Sequence, residues 1–423
     1  MARLDIAAIA LAAVVIALAA RDTAMRLPEV WAARNVAAWE LARLIPRDAV
    51  PAATATVRGT VRNAAGWPIA GATAIVPLPD GTTLEVRTAP DGTWAIPGVP
   101  TGRRPAWVGA PGMAPVVVEV DVLGTDGDAL KVDVILGPAA RAPNADPGTV
   151  RDRARDVVHE GESTTWTCDR PIPGTAVRSE VLAPRVGLGP GQAIRYRPDP
   201  AVPLSGGGNP DDMARPPLLV VYPGPAASWE CASIPLAAAG FELVAYGPPY
   251  GFDVEGEVDR LRLLMATLGE RPAVLAGSYS AIHALRLVQD APPETVRGVV
   301  LMGPPVDLFD LRRRLEVDGW VPPFGLDRAL VALGTPDREV ARHARYSARL
   351  HVAPSHPPTL VIHSRSDEVV PIAQGEAYLR ALAEAGLVGE GMFLDGGGHY
   401  LLSSGGEAET ILARTVAFLA GVK

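Results

Sequence analysis

Between residues 163 and 423 the chain repeats one pattern: a short, uninterrupted apolar run, a loop bearing Gly or Pro, then an amphipathic stretch. The runs are LLVVYPG, FELVAYG, PAVLAG, VRGVVLMG, PTLVIHS and GMFLDG, and the stretches between them include GEVDRLRLLMATLG, AIHALRLVQD and QGEAYLRALAEAG. A strand that is apolar at every position must be covered on both faces, and helices on either side supply that cover. The pattern therefore predicts a mostly parallel sheet between two helical layers, with its ligand site at the C-terminal ends of the strands. Two earlier segments, SEVLAP and QAIRYRP, add an antiparallel edge.

Three loops carry chemistry, in the order serine, acid, histidine: AGSYSA after PAVL, HSRSDEVVP after TLVI, and DGGGHYLL after GMFL. Each follows a predicted strand, so all three emerge on one edge of the sheet. Here the region resembles the α/β-hydrolase superfamily. Its acid motif is matched by Ser364, Asp367, Val370 and Pro371, and its Gly-Gly-His motif by Gly397, Gly398 and His399; the Ser…Asp…His order is also that of the superfamily. The resemblance implies an α/β-hydrolase fold over 163–423 and a catalytic triad of Ser278, Asp367 and His399.

The usual elbow signature, G-x-S-x-G, is altered. Steric crowding at a strained strand-to-helix turn favours small residues two positions either side of the nucleophile. Ser278 has Ala276 and Ser280 there, whereas Ser280 would place the β-branched Ile282 at the second position. Ser278 is the expected nucleophile and Ser280 the fallback. A serine hydroxyl needs a base to accept its proton, a role assigned to His399, with Asp367 fixing the imidazole tautomer. One oxyanion donor is the N–H of Tyr279. The second is open: the register of VYPGPAASWE puts Pro225, which has no N–H, at the family's donor position, leaving Gly224, Ala226, the Tyr222 hydroxyl or an incomplete hole.

Plainer roles compete for some of these residues. Asp367 can cap the following helix, and His399 can be a loop histidine. Asp307, after VRGVVLMG, is a fallback acid. His283 reads as packing, and His363 has no assigned role. Residues 308–355 form an insertion read as a small helical cap over the strand ends; its LRRR run either meets an anionic substrate or is a solvated helix face.

Ahead of this region, residues 54–137 alternate short strands with turn clusters, as in an all-β sandwich. Val57-x-Gly59-x-Val61, then GWPIAGA, then TAPDGTWAIPGVPTG resemble the carboxypeptidase regulatory-like, transthyretin-type domain. The resemblance implies a structural or adhesive module, and no catalytic constellation is present in it. Residues 138–162 are rich in Pro and charge and read as a linker.

The N-terminus stands apart. Residues 6–20 are uncharged and apolar, and residues 1–24 read as a signal peptide or membrane anchor, followed at 25–53 by an amphipathic helical segment. The expected location is extracytoplasmic, secreted or membrane-anchored. The two cysteines, Cys168 and Cys231, suit that setting either as one disulfide or as two thiols. They have no metal-ligand spacing. The formal charge of −8 is spread along the chain, and no basic patch supports nucleic-acid binding. No cofactor is expected.

The reading is a multidomain serine hydrolase cleaving an ester through an acyl-enzyme, with a small-molecule ester or short peptide as substrate. The alternatives are a serine peptidase, an acyltransferase, or a non-catalytic binding protein with a degenerate hydrolase domain.

Overall fold

The computed structural model describes residues 28–44, 53–123, 130–139, 158–160, 177–182, 193–198, 215–248, 253–269, 271–402 and 405–422. The apolar segment at 1–24 lies outside them. Among the described residues no helix is long and apolar enough to cross a membrane.

The first described element is helix α1 (Pro28–Leu44), where the sequence predicts a helical segment. The side chain of Asn35 donates to the carbonyl of Ala332, 297 residues away, so this helix lies against the later domain.

A β-sandwich follows. Its strands are β1 (Thr54–Asn63), β2 (Thr73–Pro77), β3 (Thr83–Arg87), β4 (Thr93–Pro100), β5 (Gly102–Gly109), β6 (Val116–Val122) and β7 (Leu130–Leu136). One sheet has the order β4-β1-β7 and the other β3-β2-β5-β6. Burial alternates along β1, as period-2 patterning requires: Val57 and Val61 face a core shared with Val76, Trp94, Ile96 and Val108. Asp91 and Gly92 lie in the turn that carries the chain from β3 in one sheet to β4 in the other, with Asp91 accepting from the N–H and hydroxyl of Thr93.

The second domain is built on β8 (Val158–Glu160), β9 (Val177–Leu182), β10 (Ala193–Pro198), β11 (Leu218–Val221), β12 (Leu243–Tyr246), β13 (Ala273–Gly277), β14 (Val299–Met302), β15 (Thr359–Ser364) and β16 (Gly389–Leu394). Among the described residues the sheet order is β16-β15-β14-β13-β11-β12-β10-β9-β8. The strands from β11 to β16 are parallel, while β10 runs antiparallel to both its neighbours. This is the α/β-hydrolase order with one extra edge strand. The extra strand, β8, corrects the linker reading: residues 158–160 lie within the expected 138–162 connector but pair with β9. Three residues in a charged context carry too little periodicity to be read as a strand.

Alternate residues of each central strand enter different cores. Leu219, Val221, Val274 and Ala276 pack on one face, and Leu218, Val220, Ala273 and Leu275 on the other. Helices α2 (Glu230–Ala238), α3 (Val254–Ala266), α4 (Ser280–Asp290), α8 (Ala373–Glu384) and α9 (Gly405–Gly421) accompany the sheet. Between β14 and β15 come α5 (Leu308–Glu316), α6 (Leu326–Ala332) and α7 (Val340–Tyr346), a helical insertion as the sequence predicts.

The sandwich is docked on that insertion. Ile75 and Trp107 share a buried cluster with Phe309, Val340, Ala344 and Leu350, and Trp107 meets the His351 ring edge-on at 6.3 Å. The LRRR run is only partly the solvated helix face expected: Arg313 and Arg314 are part-exposed, whereas Arg312 is not. Arg312 is buried and pairs with Glu316, Arg313 pairs with Asp310 and Asp318, and Arg314 pairs with Asp310. Acids within reach along the same helix and just beyond it engage all three cations, which the spacing alone did not reveal.

Candidate active site

Ser278 stands between β13 and α4 with φ of 51°, in the left-handed region that non-glycine residues seldom occupy. Its N–H donates to the Met302 carbonyl at 2.9 Å, and α4 starts two residues later. The one glycine of the elbow precedes it for a packing reason: a Cβ on Gly277 would lie 2.0 Å from Cε1 of Tyr222. Ala276 and Ser280 are fully buried, which explains why small residues serve at the flanking positions.

The hydroxyl of Ser278 lies 2.7 Å from Nε2 of His399. Nδ1 of His399 is 2.9 Å from both carboxylate oxygens of Asp367. An ionised carboxylate only accepts, so the proton of a neutral His399 sits on Nδ1 and Nε2 is left to accept from the serine. The side chain of Asp367 is fully buried and that of His399 is 7 % exposed. Burial alone would push the Asp367 carboxyl up; hydrogen bonds from His363 and His399 outweigh it and hold the group well below the usual carboxylate range. Asp367 also caps a turn, since Oδ1 accepts from the N–H groups of Val369 and Val370 at 2.9 and 2.8 Å. The capping and imidazole-holding roles, alternatives in the sequence, coexist on one carboxylate.

Other residues singled out in the sequence lie elsewhere. Ser280 opens α4, and its hydroxyl has no hydrogen-bond partner among the described residues. Asp307 caps the N-terminus of α5, accepting from Phe309 and Asp310, and is paired with Arg349 at 2.5 Å. His283 is buried beneath Tyr279, ring centroids 5.1 Å apart, and burial pushes its pKa down to about 4. The Tyr222 hydroxyl, one of the open oxyanion donors, donates instead to Sδ of Met302 at 2.6 Å. Gly224 takes φ of 93°, and Ala226 opens a short 3-10 turn (Ala226–Trp229). That loop is pressed on Gly247, where a Cβ would fall 1.5 Å from the Gly224 carbonyl oxygen.

A pocket of about 590 Å³ opens at Ser278 and His399. Its walls are Trp229, Met302, Phe324, Leu326, Leu401 and Leu402, among others, and among the described residues no Asp, Glu, Lys or Arg lines it. Tyr400 packs edge-on against His399 and against Phe324, with centroids 5.7 and 5.4 Å apart. Cys231, also in the wall, is disulfide-bonded; Cys168, the other cysteine, lies outside the described residues. Among the described residues no cluster of His, Cys, Asp and Glu could hold a metal ion. Phe324, Leu326 and Tyr400 were not singled out in the sequence, because cap and loop residues approach the site only through the chain's long-range path.

Comparison with known proteins places one family model on the chain. Residues 56–137 match the family model for the carboxypeptidase regulatory-like domain. No curated protein sequence matches the chain. Among solved structures, the chain is similar to a truncated carbohydrate esterase from gut microbiota, at 15% identity over 54% of this chain and 90% of that one, with a TM-score of 0.41. Esterase B from Lactobacillus rhamnosis is similar at 16% identity, over 60% and 88% of the two chains, with a TM-score of 0.44. A thermophilic esterase from Thermogutta terrifontis is similar at 17% identity, over 58% and 94%, with a TM-score of 0.38.

Proposed function

We propose that this chain is a serine hydrolase of neutral, apolar carboxylic esters. The observation that carries the reading is the continuous hydrogen-bonded chain from the Ser278 hydroxyl through His399 to Asp367, at the mouth of a pocket walled mainly by apolar and aromatic side chains. Ser278 Oγ attacks the ester carbonyl carbon as its proton passes to Nε2 of His399. The tetrahedral intermediate collapses to an acyl-enzyme, and the departing alcohol takes that proton. Water, deprotonated by His399, then attacks the acyl carbon; the acyl–Oγ bond breaks, Ser278 Oγ takes the proton back from His399, and the acid is released. The oxyanion is assigned to the backbone N–H of Tyr279, the residue after the nucleophile, and to a second donor from the loop at 224–226.

The pocket lining favours an ester over a peptide. Among the described residues the wall is apolar and aromatic, and Trp229, Met302, Leu326 and Leu402 suit an acyl chain. The chain acts outside the cytoplasm, a reading supported by the apolar run at 6–20 and the disulfide at Cys231.

The test is a series of p-nitrophenyl esters of rising acyl length beside short peptide amides. Each added methylene accommodated by the pocket is worth about 0.8 kcal/mol, so kcat/KM rises about fourfold per carbon until the pocket is full. Faster cleavage of peptide amides than of every ester would refute the assignment.

A further inference from the structure

His363, at the end of β15, is fully buried four residues before Asp367. Its Nε2 lies 2.9 Å from the carbonyl oxygen of Val370 and 3.2 Å from Oδ2 of Asp367. A carbonyl and a carboxylate are both acceptors, so Nε2 must carry the hydrogen and share it between them. Nδ1 has no partner among the described residues, and α8 closes over it: a Cβ on Gly375 would lie 2.7 Å from that nitrogen.

The two oxygens of Asp367 are held differently. Oδ1 receives two backbone N–H groups. Oδ2 receives no backbone donor among the described residues; its hydrogens come from His399, which is shared with Oδ1, and from His363. Gly303, with φ of 54°, lets the backbone approach Oδ2 closely, since a Cβ there would sit 3.0 Å from it. The carboxylate is thus pinned at one oxygen by the chain and at the other by an imidazole.

We propose that His363 is a positioning residue for the triad, its Nε2–H fixing Oδ2 of Asp367 so that the carboxylate plane faces Nδ1 of His399. This rests on the serine-hydrolase reading, and it adds a second histidine on the far side of the acid. His363 touches no substrate and moves no proton; it limits rotation of the carboxylate and supplies it with a donor in a site closed to water. The backbone bond to Val370 ties the same imidazole to the loop that carries Asp367. The acid, its cap and its second donor therefore form one rigid unit on β15 and the turn after it.

The test compares wild type with His363→Leu and His363→Gln; the Gln side-chain amide offers an N–H near the position of Nε2. Three quantities are read: kcat and KM for the best ester, the thermal midpoint, and the low-field proton resonance of the His399–Asp367 hydrogen bond, identified by its loss in His399→Ala. His363→Leu is expected to lower kcat by roughly 10- to 100-fold, the scale on which outer partners of functional ligands act, with KM unchanged and the resonance weakened or lost. His363→Gln is expected to recover most of kcat and restore the resonance. A folded His363→Leu with wild-type kcat and an unaltered resonance overturns the assignment. So does a His363→Gln as slow as His363→Leu, because a packing role would then account for both. The resonance needs no substrate and decides the matter even where no ester is turned over; that separate failure would count against the hydrolase reading.

Discussion

Glu85 and Arg349, 264 residues apart, meet in a two-point ion pair, with nitrogen–oxygen distances of 2.9 and 2.6 Å. Glu85 lies on β3 of the sandwich, and Arg349 lies just after the cap helices. The same guanidinium also bonds Asp307, which caps α5, so one cation joins the sandwich to the N-terminus of a cap helix. Arg349 is largely buried, and the charges of Asp307 and Glu85 outweigh the cost of its desolvation.

The docking predicts that the sandwich and the sheet domain support each other. Trp107→Ala removes a nearly buried indole from the shared cluster and is expected to cost about 3–5 kcal/mol in chemical denaturation. Arg349→Ala leaves Asp307 buried without its partner and is expected to be comparably damaging. Two independent unfolding transitions, with only the sandwich transition moved by Trp107→Ala, would show that the contact carries no coupling.

Gly277→Ala is expected to fold and to lose activity. The added Cβ would meet the Tyr222 ring at 2.0 Å, and that ring is held by its stack on Trp229 and its bond to Met302. The elbow must shift instead, and a displacement near 1 Å is enough to lower kcat on the order of 10²-fold. Steady-state kinetics on protein with wild-type circular dichroism checks this.

Much of this arrangement was legible in the sequence. The apolar runs at β11 to β15 encode a sheet covered on both faces, and the loops after β13, β15 and β16 carry Ser278, Asp367 and His399 as the pattern requires. The sandwich strands were legible because their alternation is strict and their turns carry Gly and Asp. What stayed hidden depends on distance along the chain. Arg349 finds Glu85, Tyr222 gives its hydroxyl to Met302, and Trp107 inserts beside Phe309, none of which leaves a periodic trace. The His363–Asp367 contact was within reach as an i,i+4 spacing, yet that spacing gains meaning only once β15 ends where it does.

Acid should begin to weaken the fold as the pH passes the ordinary histidine range. Burial pushes His283, His351 and His356 down to about 4 and His343 to about 3, each with desolvation as the leading cause. These groups stay neutral in the folded protein while the unfolded chain binds protons near pH 6.5. Stability therefore falls as pH drops from about 6.5 toward 4, because the unfolded state takes up more protons. Denaturant midpoints measured across that window are expected to decline, and His283→Phe should flatten part of the slope. A midpoint flat from pH 7 to 4.5 would contradict this account of the buried histidines.

Leu326 lies in the pocket wall at the start of α6. Leu326→Trp is expected to shift the acyl-length optimum toward shorter chains while leaving acetyl-ester turnover close to wild type. Equal losses across the whole ester series would mean that Leu326 does not bound the acyl site.

The central claim is that Ser278 is an activated nucleophile. Labelling of intact protein by a fluorophosphonate probe tests it most directly, on the wild type, Ser278→Ala, Ser280→Ala and His399→Ala. Stoichiometric labelling of the wild type and of Ser280→Ala is expected, with labelling lost in Ser278→Ala and His399→Ala. A folded wild type that takes up no label, or a Ser278→Ala protein that still does, would contradict that claim.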